Sequence, residues 1–305
     1  MIVADVARVL NYDADLVEVL PAEHWRGPFP ADWRDRALAA LEAGRIVVFP
    51  HLRFLVEAGE MVLLDQSLAG RARKNIGFDP ASRQLSNAAS DQAGAAALAG
   101  MIERFSDQAL GLLHDLLPSY AAHLDRGRAS FRPNEIVGRA YSPRHDDKRL
   151  HVDAFPSRPV RGRRILRVFA NIAADGAVRR WQVGEPFPSF AQKFMPRLKP
   201  PIPGSLWLLK LLKVTKDRRS LYDHYMLGLH DRGKLDDDYQ AQAPRTDLYF
   251  KPGTTWLCFT DQVLHAALAG HSALEQTFYL PVEAMANPAA SPLRVLENIA
   301  QRALA

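Results

Sequence analysis

A chain of 305 residues with 48% hydrophobic and 24% charged side chains can bury a large core, as one elaborated domain or two. Its net charge of +5 and pI near 9.4 point to an anionic partner, whether phosphate, carboxylate, nucleic acid or a membrane surface. One cysteine, Cys258, excludes an internal disulfide and any multi-thiolate zinc site, and no window approaches the run of about 18 apolar residues that a membrane span needs.

The chain opens on Met1-Ile2-Val3-Ala4-Asp5, without the basic start and apolar stretch of a signal peptide, so a cytoplasmic location is expected. Residues 1–130 read as a mainly helical region packed on the core. Within it, residues 32–42 form an amphipathic helix closed by Gly44, and residues 46–49 a short buried strand. Residues 74–80 read as a loop whose polar side chains could face a ligand, and residues 92–124 as two helices broken near Pro118. Residues 131–285 read as the catalytic core, with short strands at 135–141, 150–155, 164–172, 247–250, 254–259 and 274–281 separated by Pro and Gly. A helical insertion at about 187–240 interrupts them, as a lid, a partner surface or plain scaffold, and residues 286–305 supply a C-terminal helix. This pattern predicts an α+β protein with a double-stranded β-helix (jelly-roll, cupin-like) core, a helical N-terminal region and a helical insertion.

The segment 150–155 holds His151-Val152-Asp153, in which alternation on a strand turns His151 and Asp153 to one side. Two histidines and one carboxylate can bind one face of a metal and leave the other open, the arrangement of non-haem Fe(II) oxygenases. Chance supplies about one such tripeptide in a chain of this composition, so context must choose. His145-Asp146-Asp147 lies in a charged stretch that reads as a solvated loop, whereas His151 is followed by Val152, Asp153, Ala154 and Phe155 before Pro156. His265 follows a strand and a short turn containing Asp261, and completes the metal set His151, Asp153 and His265. His271 reads as a turn residue after Gly270, and His224 and His230, on a helix of the insertion, either face the substrate or pack, with packing favoured.

An oxo-acid cosubstrate needs a cation for its distal carboxylate. In 164–172, alternation puts Leu166, Val168, Ala170 and Ile172 on one face and Arg167, Phe169 and Asn171 on the other. Arg167 is therefore the candidate cosubstrate arginine, with Asn171, Tyr141 and Thr277 as further candidate polar contacts and Tyr279 as another hydroxyl. The window 10–15 residues after His265 holds no Arg or Lys. Basic residues flank the metal tripeptide on both sides, and Arg144, Arg158, Arg161 and Arg163 are candidate contacts for an acidic substrate.

Lys74-Asn75-Ile76, His151-Val152-Asp153, Leu166 to Ile172, Trp181 to Phe187, His230-Asp231 and Thr260 to Gly270 together resemble the bacterial Kdo 3-hydroxylases, across about residues 30–285. The resemblance implies an Fe(II)/2-oxoglutarate dioxygenase that hydroxylates C3 of 3-deoxy-D-manno-oct-2-ulosonic acid (Kdo) in the lipopolysaccharide inner core, giving D-glycero-D-talo-oct-2-ulosonic acid (Ko). It implies His151, Asp153 and His265 as iron ligands, 2-oxoglutarate and O₂ as cosubstrates, a Kdo-lipid A precursor as partner and no nucleic acid. Residues 205–213 mix Trp, Leu and Lys as surface-binding helices do, so the segment reads equally as peripheral contact with the cytoplasmic face of the inner membrane or as a buried lid helix. Without the resemblance, an oxygenase acting on a protein, RNA or metabolite stays open. So does a non-catalytic module for acidic glycolipid, although the intact triad argues against it.

Overall fold

The computed structural model describes residues 12–64, 75–88, 92–138 and 141–305. In chain order it builds β1 (Val17–Val19), α1 (Ala31–Glu42), β2 (Ile46–Phe49), β3 (Ile76–Asp79), β4 (Gln84–Ser86), α2 (Gln92–Leu116), α3 (Pro118–Ala121) and β5 (Asp125–Arg132). After a long connection come β6 (Arg164–Asn171) and β7 (Arg179–Val183), then the helices α4 (Phe187–Phe194), α5 (Ser205–Leu211), α6 (Leu221–Leu235) and α7 (Asp237–Gln242). The chain returns through β8 (Thr246–Phe250), β9 (Thr255–Phe259), β10 (His265–Ala269) and β11 (Ala273–Leu280) to α8 (Pro292–Ala300). The result is a mixed α+β protein with an eight-stranded sheet, ordered β1-β2-β9-β6-β11-β5-β3-β4, and a three-stranded sheet, ordered β10-β7-β8. Strands from before and after residue 130 share the larger sheet.

Two apolar cores follow from the alternation of β6 and β9. Leu166, Val168, Ala170, Leu257 and Phe259 face one side, where α2 lays down Leu98, Met101, Ile102, Phe105, Ala109, Leu112, Leu113 and Leu116 at helical spacing. Phe169, Trp256 and Cys258 face the smaller sheet and meet Trp181, Val183, Leu248 and Phe250. Phe250 and Trp256 stack with ring centroids 4.1 Å apart, and Trp181 stands edge-on to both and to Phe169. These large rings fill the space between the two sheets.

One buried network fixes the turn between β9 and β10. Arg164, fully buried at the start of β6, donates from Nε to Asp261 Oδ2 (2.8 Å) and from Nη2 to Gln262 Oε1 (2.6 Å). Its guanidinium lies 3.8 Å from the centroid of Phe259. Removing one partner of such a buried pair costs about 3–5 kcal/mol, because the other charge is stranded. Thr260, at the head of the turn, donates its N–H to Ile165 O (2.9 Å), so turn and central strand move together.

Several elements differ from the sequence reading. Residues 76–79 are a strand, not a loop: Ile76 and Phe78 alternate inward and pair with β5, a pattern too short to stand out against its polar neighbours. Lys74 lies outside the described residues. The stretch 135–138 is turn and loop with Gly138 at φ +80°, and residues 139 and 140 of that expected strand are likewise outside them. Residues 150–155 make a single bridge instead of a strand, His151 to His265. The Arg-rich sequences of β5 and β7 concealed two strands that pairing reveals.

Candidate metal centre

His265 begins β10, where it pairs with Val183 of β7. His151 lies antiparallel to it, each backbone N–H donating to the other's carbonyl (3.0 and 2.9 Å). Two residues on, Asp153 N–H donates to Thr260 O (2.8 Å), so both ends of the tripeptide are tied to the turn that delivers His265. The i, i+2 relation then turns His151 and Asp153 to one side, facing His265. The candidate ligand atoms of the three residues lie within 4.8 Å of one another, the one such cluster of His, Cys, Asp or Glu among the described residues.

Their protonation suits a metal. His151 Nδ1–H donates to Arg149 O (2.7 Å) and His265 Nδ1–H to Val263 O (2.8 Å). A carbonyl can only accept, so each Nδ1 carries the hydrogen and each Nε2 keeps its lone pair for an ion. Burial lowers both histidines below their ordinary value, and for His151 the adjacent His265 lowers it further. Burial is the largest single influence and would raise Asp153, but Arg167, His265 and His151 together outweigh it and hold the carboxyl well below the usual carboxylate range. Asp153 Oδ1 lies 4.0 Å from His151 Nε2, while Oδ2 lies 3.1 Å from Arg167 Nη1 without accepting a hydrogen bond. Two neutral imidazoles and one ionised carboxylate fit a divalent ion with an open opposite face.

The ligands border a cavity lined also by Arg132, Asp147, Arg167, Phe169, Arg179 and Trp181. Trp181 stacks on the His265 ring (5.0 Å, 22°), and His230 meets His151 edge-on at 5.5 Å while its Nδ1 lies 3.0 Å from Asp231 Oδ1. Three guanidiniums line this cavity. Arg167 pairs with Asp153 and with Glu275 (3.3 Å), Arg132 also holds Glu275, and Arg179 donates to Gly270 O (3.0 Å). A dianion can be held here.

Residues 24–303 match the family model for 3-deoxy-D-manno-oct-2-ulosonic acid (Kdo) hydroxylase. The chain belongs to the Kdo hydroxylase family. Among solved structures it is similar to the Kdo hydroxylase KdoO, described as a non-haem Fe(II), α-ketoglutarate-dependent dioxygenase. The complex of that enzyme with α-ketoglutarate and Fe(III) shares 45% identity, covering 95% of this chain and 97% of that one, with a TM-score of 0.91. The cobalt(II) complex gives 45% identity, 94% and 97% coverage and a TM-score of 0.92. The complex with succinate and Fe(III) gives 44%, 94%, 97% and 0.91. No curated protein matches the chain in sequence.

The other residues singled out from the sequence separate in space. Asn171 is absorbed by the backbone: its amide donates to Ala177 O and Phe250 O (2.9 Å each) and its oxygen accepts from Ala173 N–H. That makes it a clamp at the end of β6, away from the cavity. Tyr141 lines a neighbouring hollow that shares Arg132, Asp147 and Arg179 with the metal cavity. Thr277 and Arg158 line a different cleft, on the far side of Arg167. The four arginines do not form one rim. Arg144 pairs with Asp231 (3.5 Å), Arg161 with Asp217 (3.3 Å) and Arg163 with Asp125 (2.8 Å) while lying over Tyr279. Sequence reasoning missed Arg132, Arg179 and Trp181 as cavity neighbours and left His230 between facing the substrate and packing. The first three sit in the two strands it missed, and alternation with their paired strands was the signal that would have found them.

Proposed function

We propose that this protein is an Fe(II)- and 2-oxoglutarate-dependent dioxygenase that hydroxylates C3 of Kdo in Kdo-lipid A, giving Ko. The observation that carries this reading is the His151–Asp153–His265 cluster opening on a cavity with three guanidiniums, in a chain of this family. On this reading the two sheets are the walls of a double-stranded β-helix and the metal lies at one end between them.

His151 Nε2, Asp153 Oδ1 and His265 Nε2 would hold the iron. Bound there, iron would activate O₂, so that 2-oxoglutarate would lose CO₂ and become succinate with one oxygen atom while the other passed to the sugar carbon. The chain's own residues set the conditions. The Nδ1–H bonds to Arg149 O and Val263 O lock both imidazoles in the tautomer and orientation that ligation requires. Trp181 covers one face of His265 and keeps water from it. Arg167 is the proposed partner for the distal carboxylate, with Arg132 and Arg179 completing a cationic wall where a planar fork can take a carboxylate through two parallel bonds.

The acceptor lipid implies a bilayer nearby. Among the described residues no helix is long and apolar enough to cross a membrane. α5 instead exposes Trp207, Leu208 and Leu211 beside exposed Lys210, the composition of an element that rests on a lipid surface. The test is an incubation of the purified, iron-loaded protein with Kdo-lipid A, 2-oxoglutarate and air, followed by mass analysis of the lipid. The expected result is one added oxygen on the Kdo unit with succinate formed in equal amount. Succinate release with an unmodified lipid, or modification without 2-oxoglutarate, would remove this reading.

A further inference from the structure

A second cleft opens on the same face of the large sheet as the metal cavity. The pairing registers show why the two are neighbours. Phe169 on β6 lies opposite Glu275 on β11, Glu275 opposite Ser130 on β5, Ser130 opposite Gly77 on β3, and Gly77 opposite Ser86 on β4. Residues paired across adjacent strands share a face of the sheet, so this row points one way along its whole length. Phe169 lines the metal cavity, Glu275, Ser130, Gly77 and Ser86 line the cleft, and Arg167 lines both. With strands about 4.8 Å apart, the row runs from the metal cavity to the cleft floor in two or three strand widths.

The lining of the cleft is that of a binding site, not of a packing fault. Ser130 Oγ and Asn75 Oδ1 are buried there with no hydrogen-bond partner among the described residues. Buried polar atoms left this way cost free energy unless something else satisfies them. Arg158, half-buried at the same wall, makes no hydrogen bond or ion pair among the described residues, whereas Arg128 pairs with Asp79 at 3.5 Å and Glu275 is shared by Arg132 and Arg167. Phe155 and Tyr279 meet edge to face (6.4 Å, 82°) and present an aromatic flank. An unpaired guanidinium, unsatisfied hydroxyl and amide oxygens and an aromatic flank are what a polyhydroxylated acid needs.

We propose, building on the function proposed above, that this cleft is the acceptor-sugar subsite and that Arg158 takes the carboxylate of the sugar acid. In a 2-keto-3-deoxy acid, C3 is two bonds from the carboxylate carbon. A cation that fixes the carboxylate therefore fixes C3 as well, and Arg158 becomes a determinant of which carbon faces the iron. Ser130 and Asn75 take sugar hydroxyls, and Phe155 and Tyr279 cover a C–H face.

The test compares wild type, Arg158→Ala, Arg158→Lys and Ser130→Val with Kdo-lipid A and with the same acceptor stripped of its phosphates. Loss of one charge-assisted contact corresponds to about a tenfold to hundredfold rise in KM for the acceptor. That rise is expected in Arg158→Ala on both acceptors, with partial recovery in Arg158→Lys. Ser130→Val is expected to raise the same constant by filling the cleft floor. Iron content, the KM for 2-oxoglutarate and the melting temperature stay at wild-type values in all three variants, which separates a lost subsite from a damaged fold. An unchanged acceptor KM in Arg158→Ala overturns the proposal. A defect that disappears on the dephosphorylated acceptor also overturns it, since the cation would then read phosphate. A wild-type protein that modifies neither acceptor refutes the broader functional reading instead.

Discussion

Replacing His265 by alanine abolishes hydroxylation and iron retention together, and His151→Ala and Asp153→Ala do the same. Each ligand atom is one of three that converge within 4.8 Å, and the metal needs all three to keep its opposite face free for cosubstrate. The folded state survives because the loss is local. His265 gives up a ring stack on Trp181, but its backbone hydrogen bonds to His151 remain. A single buried substitution of this kind costs about 0.5–3 kcal/mol, well short of unfolding a domain with two packed sheets. Metal analysis, succinate release and a thermal melt on each purified variant decide the matter. Normal turnover in His265→Ala would refute the triad.

Arg167→Ala shows a different phenotype. The three ligand atoms remain, so iron still loads at saturating metal, while the requirement for 2-oxoglutarate rises about tenfold to hundredfold, the worth of one charge-assisted carboxylate contact. Arg167→Lys restores only part of it, since a point charge replaces a planar fork. The position is sensitive because the guanidinium is shared: Asp153 lies 3.1 Å and Glu275 3.3 Å from Nη1. Its removal leaves Glu275 with Arg132 and leaves Asp153 to the metal alone. The measurement is the 2-oxoglutarate concentration dependence of succinate release. An unchanged dependence in Arg167→Ala would transfer the distal carboxylate to Arg132 or Arg179, which line the same cavity.

The sequence exposed the site more clearly than its surroundings. His151, Asp153 and His265 were visible because two of them sit at i, i+2 and the third follows a strand and turn. β6 was visible because its apolar residues alternate without a break. β5 and β7 were not, since Arg126, Arg128 and Arg132 on one and Arg179 and Arg180 on the other look like solvated segments until cross-strand partners are known. That is also why Arg132 and Arg179 escaped notice: a cation in a cavity and a cation in water have the same sequence context. Asn171 went the other way. It shares the inward face with Arg167, yet the chain reverses beyond it and its side chain is consumed by Ala177, Phe250 and Ala173. Periodicity assigns a face of a strand, and only the fold decides what stands opposite it.

On the function proposed above, O₂ is split between 2-oxoglutarate and the sugar at the His151–Asp153–His265 site. Turnover of Kdo-lipid A under isotopically heavy O₂ tests it most directly, with mass analysis of both succinate and the isolated sugar. One heavy oxygen is expected in succinate and one on C3 of the modified sugar, and neither in the His265→Ala protein. Sugar hydroxylated with oxygen from water, or heavy oxygen in succinate while the sugar stays unlabelled, would contradict it.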